Sequence, residues 1–270
     1  MDIIDAHFHI IAVRDYRPDR PDGPRPFTVE SYLRIMDRFA AKGRWRALTG
    51  GVVVGGSRDT REETLLEALT ELEDAVAGRG VARERGRNFI GIITNRADVR
   101  GRRIGELHDA GIRGVRFNLT GGRDGSADEI RDVARRIHDE AGWVTHVAVD
   151  LADRPDVASA IGELARDGVR VAVDHMGMSG AGVDRLVALA ADGAGVKATG
   201  FSRVDFPVAD ALRRVHAANP AALMFGSDLP GAHARRQLDM GDIDVLLDVL
   251  GDWEMSRVMH DNAAAFHDFS

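Results

Sequence analysis

The chain reads as an α/β protein folded as a single (β/α)8 (TIM) barrel over residues 1–270. Three observations predict this. Short apolar, β-branched runs alternate with amphipathic stretches along the whole length. The later runs begin at Phe89, Val115, Val144, Val169, Val196 and Leu223, at separations of 26, 29, 25, 27 and 27 residues. That is the repeat of a strand plus its crossover helix in a parallel sheet. Finally, 270 residues accommodate eight such units, and barrels of this kind are typically about 250 residues long. A doubly wound open sheet is the alternative. Such a sheet more often opens on a glycine-rich phosphate loop, and no GxGxxG starts a helix here, although Gly55-Gly56 follows a strand. No linker-like stretch divides the chain.

The first strand is Ile3 to His9. A segment from Arg14 to Phe27 follows, with prolines at 18, 21, 24 and 26. It suits neither a helix nor a central strand, and a long irregular stretch in a compact domain is often a lid or binding loop. Thr28 caps a helix running to Ala41, with Tyr32, Leu33, Met36 and Phe39 on one stripe. Strands are then expected at Gly51–Val54, Phe89–Ile93, Val115–Asn118, Val144–Val149, Val169–Val173, Val196–Ala198 and Leu223–Gly226. The intervening helices are expected over Arg61–Ala77, Arg103–Ala110, Ala127–Glu140, Val157–Arg166, Val183–Ala191 and Val208–Ala218. Two more, Ile243–Leu250 and Met255–Phe266, close the chain.

Composition narrows the function. A net charge of -7 argues against a general nucleic-acid surface. No apolar run reaches 18 residues, so no membrane span is expected. The N-terminus lacks a basic region followed by an apolar one, so a signal peptide is not expected and a cytoplasmic protein is the default. With no cysteine there is no disulfide framework, thiolate nucleophile or Cys-ligated zinc. Only Lys42 and Lys197 among the 36 basic residues are lysines, a bias that weakens any single arginine as a signal. Trp45, Trp143 and Trp253 read as core or interface residues, which leaves a homo-oligomer open.

In a barrel, the chemistry sits at the carboxyl ends of the strands. His7 and His9 occupy that position on strand one, and i, i+2 spacing puts both imidazoles on one face. Strand four ends in Arg116 and Asn118. Strand six ends in Asp174-His175-Met176-Gly177. Strand seven leads to Arg203, and strand eight ends in Gly226-Ser227-Asp228-Leu229-Pro230. Each residue alone has a plainer reading. Asp228 and Asp174 suit turn caps, a role favoured for Asp174. His175 suits a core histidine, and the arginines suit ion pairs at the rim. His146 lies early in its strand, which favours a buried structural role. His108, His138, His216, His233, His260 and His267 fall in helices or loops and read as structural or exposed.

Together these segments resemble the amidohydrolase superfamily and, within it, the amidohydrolase-2 group. The matching residues are Asp5-Ala6-His7-Phe8-His9, Gly114 to Asn118, Val173 to Gly177, Val196-Lys197 with Arg203, Phe225 to Pro230, and the closing Asn262-Ala263-Ala264. The VRFN and VDHMG segments look most like the branch containing 2-pyrone-4,6-dicarboxylate lactonase and related sugar lactonases. The resemblance implies a distorted (β/α)8 barrel in which Asp228 is the general base for an attacking water. It implies that His7, His9 and His175 polarise the carbonyl or help bind a metal, that Arg116 and Arg203 bind substrate carboxylates, and that Ser57 contacts substrate. Asn118 belongs to the same substrate-facing set. Strand four lacks the bridging lysine of two-metal members, and Lys197 is on the wrong strand to replace it. His7, His9, His175 and Asp228 could hold one zinc or manganese ion. The branch equally implies a site that requires no metal, and that is the expectation here.

The leading expectation is therefore a hydrolase acting on a carboxylate-bearing lactone. A metal-dependent decarboxylase of an aromatic or enoic acid on the same barrel is the second reading. A barrel that only binds a small carboxylated ligand is the third. Substrate choice is expected to lie in loops Arg14–Phe27, Gly121–Ser126 and Gly231–Met240.

Overall fold

A computed structural model describes residues 1–16, 24–43, 45–56, 61–80, 86–94, 99–121 and 125–269. Ser57, Arg17 and part of the loop after residue 121 lie outside these residues. Eight strands form one sheet: β1 (Asp2–Phe8), β2 (Ala47–Val54), β3 (Phe89–Thr94), β4 (Ile112–Asn118), β5 (Val144–Ala148), β6 (Val171–Val173), β7 (Gly195–Ala198) and β8 (Leu223–Phe225). They pair in sequence order, and every neighbouring pair is parallel.

The helices are α1 (Val29–Ala41), α2 (Glu62–Ala77), α3 (Arg102–Asp109), α4 (Ala127–Ala141), α5 (Pro155–Arg166), α6 (Val183–Ala191), α7 (Val208–Ala218), α8 (Met240–Ser256) and α9 (Asn262–His267). The alternation expected from the sequence is the observed one. Thr28 caps α1, its side chain accepting from Ser31 N. The strand expected from Val169 begins two residues later. Val169 N instead donates to Leu164 O, so this residue closes α5 rather than joining the sheet. Helix α8 breaks at Gly251, and a π-helical turn, Arg257–Asp261, joins it to α9. No helix among the described residues is long and apolar enough to cross a membrane.

The ring closes between the first and last strands by backbone bonds just beyond β8. Asp228 N donates to His7 O at 2.8 Å, and His9 N donates to Leu229 O at 2.8 Å. This approach requires Gly226, because a Cβ there would lie 2.8 Å from His7 Cβ and 3.0 Å from His7 N. Asp5 reinforces the seam. Its Oδ1 accepts from Ser227 N at 2.8 Å and from His7 N at 3.1 Å. Its Oδ2 accepts from Tyr32 Oη at 3.0 Å.

Inward residues stack in layers, as barrel interiors do. The floor of the interior is apolar: Ile4, Val52, Ile90, Ile92, Val144, Ala172 and Met224 form one cluster with Ala263 and Phe269 from the C-terminal segment. Along β5 the inward series is Val144, His146, Ala148. His146 stands opposite Arg116 of β4 in register. The polar residues therefore begin one layer above a dry floor.

Candidate active site

Asp174 is the electrostatic centre of the middle layer. It is fully buried. Arg116 Nε donates to its Oδ2 at 2.7 Å, and Lys197 Nζ lies 3.3 Å from its Oδ1. Burial pushes this carboxyl up, but the two cations outweigh that and hold it well below the ordinary carboxylate range. Lys197 is fully buried as well. Desolvation lowers its ammonium to about 8 despite the Asp174 charge. Its Nζ reaches His146 Nδ1 at 2.7 Å and His7 Nδ1 at 3.2 Å.

Above this layer the pocket opens. Its volume is about 290 Å³, and its walls include His9, Arg116, Asn118, His175, Arg203 and His233. His7 and His9 sit edge to face with ring centres 5.0 Å apart. The His7 and His175 rings are 4.8 Å apart. Burial depresses all three imidazoles, His9 to about 3 and the other two well below their usual value. They are therefore neutral at physiological pH. His9 Nδ1 donates to Val54 O at 2.8 Å, which leaves Nε2 with its lone pair toward Asp228 Oδ1, 3.8 Å away.

Asp228 stands at the mouth of β8, 3% exposed. Arg203 Nε donates to its Oδ2 at 2.6 Å. Its Oδ1 has no hydrogen-bond partner and lies 3.9 Å from His7 Nε2. Burial raises this carboxyl, with Arg203 opposing. Arg203 is itself fixed by Nη2 donating to Ala232 O at 2.7 Å. Within the site, two histidine nitrogens are also buried without a partner among the described residues, His7 Nε2 and His175 Nδ1.

Backbone strain concentrates here. Among the described non-glycine residues, His175, Met176, Met178, Asp228 and His233 have positive φ here, and only Asp268 does so elsewhere. Such conformations cost energy and gather at functional sites. Gly200 (φ 65°) supports the same region, since a Cβ there would sit 2.7 Å from His175 Nδ1.

The structure thus brings together His7, His9, His175, Asp228, Arg116, Arg203 and Asn118. Ser57 lies outside the described residues. Arg14 is directed elsewhere, pairing with Glu67 of α2 at 2.5 Å. The residues given no active role from the sequence are Asp174, Lys197 and His146, and they form the layer on which the pocket stands. The signal for Lys197 was a lone charge inside an apolar strand.

By donor type, His7, His9 and Asp228 fit a divalent cation, their ligand atoms lying within 4.8 Å of one another. A bound cation would polarise a carbonyl or lower the pKa of a bound water. The set His7, Asp174 and His175 also meets that distance, but Asp174 is already committed to Arg116 and Lys197.

Polar groups converging from β1, β4, β6, β7 and β8 on one concave mouth define a (β/α)8-barrel enzyme with a histidine–carboxylate centre. A family model described as amidohydrolase matches residues 4–269. The chain belongs to the amidohydrolase (Amidohydro_2) family. It is 27% identical over 176 residues to a 2-pyrone-4,6-dicarboxylate hydrolase of Comamonas testosteroni, an alignment covering 64% of this chain and 51% of that relative. Among solved structures, an Acinetobacter baumannii protein named as a 2-pyrone-4,6-dicarboxylic acid hydrolase superposes over 100% of both chains with a TM-score of 0.74 and 19% identity. A Pseudomonas putida protein named likewise covers 99% of this chain and 98% of its own, with a TM-score of 0.77 and 22% identity.

Proposed function

We propose that this protein hydrolyses the ester bond of a small lactone bearing one or more carboxylates. The observation that carries the proposal is the divided carboxylate of Asp228. One oxygen is anchored by Arg203, and the other is buried, unpartnered and beside His7 and His9. A base held in one orientation with a free lone pair is what water activation requires.

In this reading, a water bridges Asp228 Oδ1 and the His9 Nε2 lone pair. Asp228 takes a proton as the water oxygen bonds to the lactone carbonyl carbon. His7 Nε2 and His175 Nδ1 face the carbonyl oxygen, where negative charge develops. The ring C–O bond then breaks, and the proton held by Asp228 passes to the leaving oxygen. Arg116 and Arg203 orient the substrate carboxylates through the guanidinium N–H groups not bound to Asp174, Asp228 or Ala232. Arg116, Arg203 and Lys197 against Asp174 and Asp228 leave the site with one excess positive charge, although the whole chain is at -7. Substrate recognition is therefore local. The relative from Comamonas testosteroni, named for a dicarboxylate, supports the substrate class.

The test is the rate of 2-pyrone-4,6-dicarboxylate and sugar-lactone hydrolysis by purified protein, with and without a chelator, and by Asp228→Asn. Turnover that survives chelation and vanishes in Asp228→Asn, with substrate still bound, is expected. Full activity in Asp228→Asn would overturn the assignment of the base. Chelator-sensitive release of carbon dioxide would replace hydrolysis by decarboxylation.

A further inference from the structure

Below the pocket, a line of buried groups runs from the C-terminal helix to His7. His267 Nδ1 lies 3.0 Å from Ala263 O. His267 Nε2 lies 3.1 Å from His146 Nε2. His146 Nδ1 lies 2.7 Å from Lys197 Nζ, and Lys197 Nζ lies 3.2 Å from His7 Nδ1. All four side chains are buried, His267 at 2% exposure and the others fully.

The direction of every hydrogen bond in this line follows from its far end. A backbone carbonyl can only accept, so His267 Nδ1 carries its proton. In a neutral ring, Nε2 is then bare and accepts. His146 Nε2 must therefore donate to it, which leaves His146 Nδ1 bare toward the Lys197 ammonium. Lys197 has only donors, so the nitrogen it meets on His7 is also bare. Asp174 Oδ1 lies 3.4 Å from the same nitrogen but makes no hydrogen bond to it, and a proton on His7 Nδ1 would crowd a Lys197 N–H. The proton of neutral His7 thus resides on Nε2, the atom that lies in the site without a protein partner.

We propose that His267 and His146 are positioning residues that orient Lys197 and so fix His7 as the Nε2–H tautomer, a hydrogen-bond donor aimed at the reacting carbonyl. The kinetic part rests on the hydrolytic reading above; the tautomer part does not. Neither His146 nor His267 lines the pocket, so their effect on the reaction passes through Lys197 and His7. The same assignment bears on metal binding, because a protonated Nε2 offers no lone pair to a cation.

Long-range ¹H–¹⁵N correlation spectra of ¹⁵N-histidine-labelled protein test this directly, with signals assigned from single-residue variants. The wild type is expected to show His7 and His146 protonated at Nε2 and His267 at Nδ1. His267→Phe removes the acceptor for His146. It is expected to mix the His7 tautomers and lower kcat about 10²-fold, the scale of losing one donor to a developing oxyanion, with KM nearly unchanged. His267→Gln keeps an amide donor and a carbonyl acceptor, so it is expected to restore both the spectrum and most of kcat. A wild-type His7 protonated at Nδ1, or bare at Nε2 because a metal ion holds it, would overturn the proposal. So would an unchanged His7 spectrum in His267→Phe. If His267→Phe does not fold, the wild-type and His267→Gln spectra decide. A protein that shows the expected tautomers but hydrolyses no lactone overturns the hydrolytic reading and leaves the tautomer assignment standing.

Discussion

Arg203 Nε donates to Asp228 Oδ2 at 2.6 Å, and this bond fixes which carboxylate oxygen is left free beside His7 and His9. It also opposes the upward push of burial on Asp228. Replacing Arg203 with Met is expected to lower kcat by about 10²-fold through lost orientation. A base must be ionised to act, so activity falls as pH drops through its pKa. With Arg203 gone that pKa rises, and the acidic limb of the kcat profile moves to higher pH. A limb that stays in place would show that Arg203 does not tune Asp228.

Arg116 serves two masters, the buried Asp174 below and the pocket above. Arg116→Met is expected to raise KM for a dicarboxylate lactone about 10²-fold and to destabilise the fold by about 3–5 kcal/mol, because Asp174 loses its hydrogen-bonded cation. Arg116→Lys keeps the charge but not the two-donor fork. It should recover stability more than affinity. Equal recovery of both would argue that the arginine acts on substrate only as a point charge.

The buried histidines set the pH range of the fold. His7, His9, His146, His175 and His267 are all depressed by burial, His9 and His267 to about 3. The unfolded chain therefore binds protons below about pH 6.5 that the folded chain refuses, and stability falls as pH falls. Asp5, raised to about 6, works in the opposite sense between roughly pH 6 and 4, and Asp228, also raised, acts in the same direction as Asp5. Five histidines outnumber two acids, and each unmatched proton contributes about 1.4 kcal/mol per pH unit. The melting temperature is expected to hold from pH 8 to 7 and to drop steeply below 6. A flat profile down to pH 5 would contradict the burial of these rings.

Gly226→Ala forces a methyl against His7 Cβ and His7 N at the closing seam. The expected cost is about 1–3 kcal/mol, read as a fall of several degrees in melting temperature. Activity should fall further than stability alone explains, since His7 is the residue pushed. An unchanged melting temperature would mean that the seam can widen without penalty.

The barrel was legible because apolar runs and their spacing are local properties of the chain. The upper ring of the site was legible for a related reason: His7 lies at the end of a strand and His9, His175 and Asp228 just beyond one, where a barrel keeps its chemistry. The layer beneath was not. Lys197 interrupts a short apolar strand, and its meaning depends on Asp174 and His146, which only the pairing of β5, β6 and β7 brings within reach. His146 looked too early in β5 because the site is two layers deep. Asp174 resembled a turn cap, and its role depends on Arg116 from a strand two places away. His267 lay in a helix whose position under the barrel no periodicity reveals.

The seam between the two ends of the sheet has a consequence for biosynthesis. Ser227 N donating to Asp5 Oδ1 joins residues 222 apart in the chain, and contacts of such separation form late. The strand bearing His7 and His9 is made first and must wait for nearly the whole polypeptide before its neighbour exists. A nascent chain stopped just before β8 carries His7, His9, His175, both pocket arginines and Asp174, yet has neither Asp228 nor the strand that closes the ring. The proposed catalytic centre is thus among the last features that a ribosome can deliver, and a truncated product is expected to be inert however much of its sheet has formed.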